Sequence, residues 1–136
     1  MANNYLQFSE EILELTLEEK AWVVKELEAR KDKNGDSSWP DFAWDLELNN
    51  LWIHADEYGN LDNVGDFVCR FLRKFRPKDF FVLSWAEVCS KPRIHEFAGG
   101  ALFVTSKGVS SMNTERWLGD QEKVFKGKKK ARKKPK

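Results

Sequence analysis

Two β-rich runs joined by a stiff loop constrain this chain more than any other stretch. Residues 80–88, Phe80-Phe81-Val82-Leu83-Ser84-Trp85-Ala86-Glu87-Val88, concentrate the β-branched and aromatic residues that suit a pleated, half-buried surface. Their first half is apolar on both faces, which predicts a strand interior to its sheet. Ala101-Leu102-Phe103-Val104-Thr105 reads as a second strand. The loop between them, Cys89 to Gly100, carries Pro92, which fixes its own φ, and Gly99-Gly100, which suggest backbone angles other residues avoid.

The remaining chain must supply partners for these strands. Thr16-Leu17-Glu18-Glu19 has the spacing of a capping box, in which a Thr hydroxyl and a Glu carboxylate three residues later satisfy each other's free N–H groups. Leu17, Ala21, Val24 and Leu27 then recur at helical spacing, widened by Trp22 and Val23. The turn-forming run 33–38 ends that helix near Lys31. Residues 1–8 read as irregular and 9–15 as a helical turn or extension. Phe42, Trp44, Leu46 and Leu48 alternate with small or acidic residues, predicting a half-buried strand, an Asn49-Asn50 hairpin turn and a returning strand over 51–56. Leu61, Val64, Phe67, Val68, Phe71, Leu72 and Phe75 form the clearest helical stripe, with acids early, bases late and Pro77 beyond its end. Val109–Met112 predicts one more short strand. Asn113 or Thr114 is a cap for a last helix, 115–125, expected to give Trp117, Leu118 and Val124 to the core. The expected fold is therefore α+β: a mostly antiparallel sheet of four or five strands covered by two or three helices, in one domain over 1–125. A crossover around helix 61–75 leaves one parallel pair open.

Composition excludes several classes. At 136 residues with 41% hydrophobic and 13% aromatic content, the chain can bury a real core. No apolar run is long enough for a membrane helix, and the first residues lack a charged segment followed by an apolar one. Two cysteines, Cys69 and Cys89, are too few for a disulfide scaffold and fit a reduced, cytoplasmic setting. The net charge of +1 is the sum of opposed parts. Eight cations and no acid fall in 126–136; the other 15 cations against 22 acids leave the body at −7. A segment so rich in Lys is expected to be unstructured.

Three segments, Leu15–Glu19 with Trp22, Leu51–Asn60, and Cys89-Ser90-Lys91-Pro92-Arg93 followed by Glu96 to Gly100, resemble a family of small uncharacterised bacterial and phage proteins. The resemblance spans about 8–120. It departs at Ala98, where the family pattern has Gly. It implies a bacterial or phage cytoplasmic origin and brings no activity.

Chemistry-bearing side chains gather in two places: His54, Asp56, Glu57 and Tyr58 in one turn, and Cys89, Lys91, Arg93, His95 and Glu96 in the long loop. If strand 51–56 lies beside strand 80–88, both sets meet at one sheet end, where loops on a rigid scaffold commonly carry function. Cys89 with His54 or His95 has the residue types of a thiolate–imidazole pair, oriented by Asp56 or Glu96, but no local catalytic signature supports it and the competing reading is a small buried hydrophobe. The same groups lack metal-site spacing, so no metal and no cofactor is expected. Lys91 and Arg93 suit an anion, against the alternative of Arg93 held internally by Glu87 or Asp56. In the tail, Lys128, Lys129, Lys130, Arg132, Lys133 and Lys134 suit phosphate contact without base stacking, against the alternative of a solubility appendage. These residues favour a non-enzymatic binding or regulatory module whose 54–58 and 89–96 surface meets a protein or an anionic ligand. The alternative is a nucleic-acid-associated accessory protein tethered by its tail.

Overall fold

The computed structural model describes residues 3–29, 39–94 and 96–133. The fold is α+β, one sheet of six strands with three helices, in the order β1 (Asn4–Ile12), α1 (Leu17–Glu28), β2 (Ala43–Glu47), β3 (Asn50–Ala55), α2 (Leu61–Phe75), β4 (Phe80–Cys89), β5 (Ala98–Thr105), β6 (Gly108–Asn113) and α3 (Thr114–Lys133). Across the sheet the strands run β2-β3-β1-β4-β5-β6, and every neighbouring pair is antiparallel. No parallel pair forms at helix α2: β3 and β4 point the same way, but β1 lies between them.

That central strand corrects the reading of 1–15 as irregular and then helical. Leu6, Phe8 and Ile12 alternate with Gln7, Ser9 and Glu11, so β1 turns Phe8 and Ile12 into the core. Phe8 sits opposite Ala55 on one side and Trp85 on the other. Glu10 and Glu11, adjacent acids followed by Leu13 and Leu15, obscure this alternation and mimic a helical stripe.

The core lies between one sheet face and helices α1 and α2. It contains Phe8, Ile12, Leu51, Ile53, Phe81, Leu83, Leu102 and Val104 from the strands, and Val23, Leu27, Val64, Phe67 and Phe71 from the helices. Trp22 stacks on Phe67 at 5.7 Å between ring centroids, joining α1 to α2. The capping box forms as its spacing predicts: Glu19 N donates to Thr16 Oγ1 at 3.1 Å, and Thr16 N donates to Glu19 Oε1 at 2.9 Å. Glu19 is also the one buried charged residue among those described. Arg76, just past α2, grips both its carboxylate oxygens at 2.9 and 3.1 Å and donates to the carbonyls of Leu13 and Glu14. Burial alone would push the Glu19 carboxyl up. The hydrogen bonds from Arg76 and Thr16, with the Arg76 charge, outweigh it and hold the group below the ordinary glutamate range.

Three further differences from expectation have local causes. The two-residue link between β2 and β3 is Leu48-Asn49, one residue earlier than expected, with Leu48 at a left-handed φ of 55°. Gly99 and Gly100 lie within β5 rather than in the loop. Neither has a left-handed φ; the requirement at Gly100 is space, because a Cβ there would sit 2.4 Å from the Trp85 ring and 2.3 Å from the Met112 carbonyl oxygen. Helix α3 continues to Lys133, where composition predicts no structure after Phe125. Its Trp117, Leu118 and Val124 do not join the core but lie exposed. The expected turn at 33–38 falls outside the described residues.

Candidate functional site

The two loops singled out by their chemistry do meet, although β3 and β4 are not neighbours. Because β1 runs opposite to both, its first residues lie at the same sheet end as the last residues of β3 and β4. A groove of about 190 Å³ opens there, lined by Asn4, Tyr5 and Leu6 of β1, Glu57 and Tyr58 of the turn after β3, and Glu87 and Glu96 flanking the long loop.

Each wall is fixed by identifiable contacts. Leu6 N donates to the Glu57 carbonyl at 2.8 Å, and Gln7 Nε2 donates to the Asp56 carbonyl at 3.1 Å, so the turn is tied to β1 through its backbone. Gly59 permits this closeness: a Cβ there would lie 2.6 Å from the Phe8 ring. The Tyr58 hydroxyl donates to Asp41 Oδ2 at 3.3 Å. The Asp41 charge, then desolvation, that hydrogen bond and Asp62 raise the Tyr58 phenol above its ordinary range, keeping it protonated. Across the groove, Ser90 N donates to the Asn3 carbonyl and Asn3 N donates to Ser90 Oγ, both at 2.8 Å. Glu96 Oε2 accepts from Asn4 Nδ2 at 2.9 Å. The start of β1 is thus a bracket for both loops.

The remaining candidates divide. His54 is not at the groove. It lies on the outer sheet face, its ring stacked on Trp52 at 3.6 Å and its Nε2 2.8 Å from Asp45 Oδ2. Cys89 is buried at the end of β4, opposite Asn4. His54 is opposite Ser9, five positions further along β1 and on its other side, an offset of roughly 17 Å along the strand. Cys89 and His54 are therefore not brought within hydrogen-bonding reach. His95 and Lys134 lie outside the described residues. Lys91 and Arg93 are exposed and do not line the groove. Among the described residues Arg93 makes no ion pair, so neither Glu87 nor Asp56 pins it. Among the described residues no group of three His, Cys, Asp or Glu side chains is disposed to hold a metal ion, and no helix is long and apolar enough to cross a membrane.

Sequence reasoning missed Asn4, Tyr5 and Leu6 as lining residues because it did not find β1, and it named Glu87 only as a partner for Arg93. The alternation of Leu6 and Phe8 with Gln7 and Ser9 was the available signal. The described residues give the groove three carboxylates, two phenols and one amide, and among the described residues no cation lines it.

Fold and groove together define a six-stranded α+β sheet protein with an acidic, aromatic slot at one sheet end. Comparison with known proteins found no matching family model, no matching curated protein and no matching solved structure.

Proposed function

We propose that the protein is a non-enzymatic binding module whose sheet-end groove takes a Lys- or Arg-bearing segment of a partner protein. One observation carries this reading: Glu57, Glu87 and Glu96, contributed by separate segments, line one groove beside the rings of Tyr5 and Tyr58. Carboxylates attract a cationic side chain and accept its hydrogen bonds, while phenol faces and edges pack its aliphatic stem. The same lining argues against an anion in the groove, so Lys91 and Arg93 are assigned to its surroundings.

The test is a calorimetric titration of an oligolysine peptide into the full chain at low and moderate salt. The reading predicts saturable binding that weakens with salt and drops about tenfold or more in Glu57→Gln/Glu96→Gln. Binding unchanged in that variant, or no binding, would overturn it.

A second reading, of a nucleic-acid-associated accessory protein, is favoured by the continuation of α3 through the cation-rich residues 126–133. Its test is the salt dependence of duplex DNA binding by the full chain and by a variant with Lys128, Lys129 and Lys130 changed to Gln. This reading expects steep salt dependence that flattens in the variant.

A further inference from the structure

The sheet face opposite α1 and α2 divides into two halves. On β4, β5 and β6, outward positions carry Phe80, Val82, Phe103 and Met112, all exposed, with Phe80 and Phe103 63% and 46% accessible. Phe80 and Phe103 stack at 5.2 Å, and a shallow groove of about 230 Å³ runs between Val82, Phe103 and Met112. On β1, β2 and β3 the same face carries Glu11, Asp45 and Glu47, with a depression of about 320 Å³ lined by Glu11, Glu47, Asn50 and Trp52. Contiguous exposed apolar patches of this kind often mark an interaction surface.

Helix α3 carries a matching surface. Trp117, Leu118, Val124 and Phe125 are 53–66% accessible and fall on one side of the helix at spacings of 1, 7 and 8, and the cations from Lys126 onward follow. Thr114 begins α3 directly after the last residue of β6, with no connecting residues on which the helix could swing back over its own sheet.

We propose that two copies of this chain pair reciprocally, each laying its α3 across the open sheet face of the other. Dimensions and charge both fit. Twenty helical residues span about 30 Å, and six strands span about 24 Å. The stretch from Trp117 to Phe125 rises about 12 Å, which matches the width of the three apolar strands; the following cation-rich turns then reach the half that holds Glu11, Asp45 and Glu47. The occupant is a second copy because the same chain presents both halves of the contact, a body of charge −7 and a terminal segment of +8. Each α3 then buries its apolar stripe without leaving its own edge of the sheet.

Sedimentation velocity on the full chain over a wide concentration range tests this. The expected result is a reversible dimer that loosens with salt and weakens about tenfold or more both in Phe103→Glu and in Trp117→Glu. Both substitutions lie at exposed positions, and circular dichroism verifies that each variant is folded. Oxidation of a mixture of Ser84→Cys and Val124→Cys chains should give a mixed disulfide that neither variant gives alone. A monomer at every concentration overturns the proposal. So does a dimer that survives both Glu variants or yields no mixed disulfide. A chain that changes size only when duplex DNA is added also overturns it, in favour of a nucleic-acid occupant.

Discussion

The two halves of the open sheet face are built on one continuous hydrogen-bonded sheet, yet they handle exposure in opposite ways. On β1, β2 and β3 the outward side chains satisfy one another: Trp52 Nε1 donates to Ser9 Oγ at 2.8 Å, His54 pairs with Asp45, and the Trp52 and His54 rings stack. On β4, β5 and β6 the outward side chains are Phe80, Val82, Phe103 and Met112, whose contact with one another leaves about half of each in solvent. The first half settles its aromatic side chains within itself; the second leaves its apolar side chains as half of a contact. The inward faces of both halves are equally well buried, with Leu51 and Ile53 on one side and Leu83 and Val104 on the other. Core packing therefore does not explain the difference.

The largest expected effect concerns what holds both halves up. Arg76→Ala leaves the Glu19 carboxylate buried without its bidentate partner and is expected to lower stability by about 2–4 kcal/mol in urea unfolding, whichever half of the face is followed by a probe. The same pair sets an acid limit. Because Glu19 is held below its ordinary value of 4.5, it binds protons more readily when unfolded. Its contribution is complete above that value and is lost as pH falls through the lower folded one. Glu19→Gln should flatten that acid-side slope, which a series of thermal melts would show.

Next in size is Gly100→Ala, a change on the inward side of the strands that carry the apolar half. Its Cβ meets the Trp85 ring and the Met112 backbone, so the variant is expected to lose about 1–3 kcal/mol and to disturb the register of β5 against β6, read by amide exchange. An equal loss from Gly99→Ala, which meets only the Trp85 carbonyl oxygen at 3.1 Å, would show that the ring contact is not the cause.

The smallest effects separate the two halves most cleanly. His54→Ala removes a stacked, hydrogen-bonded ring and should cost about 0.5–1 kcal/mol without altering self-association. Phe103→Thr should change the stability of the isolated chain by no more than about 0.5 kcal/mol while loosening self-association. The reverse pattern would erase the distinction.

Where one local rule governed, the sequence was legible. The Thr16–Glu19 capping box and the stripe from Leu61 to Phe75 appear in the structure as their spacing predicts. The strand from Phe80 is interior to the sheet, between β1 and β5, as its apolar run predicts. Where two periodicities overlapped, the sequence misled. Glu10-Glu11 interrupts the alternation of β1, and with it the bracket that brings Glu57 and Glu96 to one groove was lost. The stripe from Trp117 to Phe125 shows that α3 has an apolar side. It does not show whether that side meets this chain or another, because periodicity carries no information about the partner. The groove residues Glu57, Tyr58 and Glu96 were named from sequence, whereas His54 was drawn to the outer face by the strict two-residue period of β3.

The most direct measurement is hydroxyl-radical footprinting of the full chain at low and high protein concentration, read residue by residue. If the apolar half of the open face is covered in solution by another copy, Phe80, Phe103 and Met112 lose reactivity as concentration rises, together with Trp117 and Phe125, while Tyr58 at the groove does not change. Uniform reactivity of Phe103 and Trp117 at every concentration would contradict that account and leave the two halves of the face differing in composition alone.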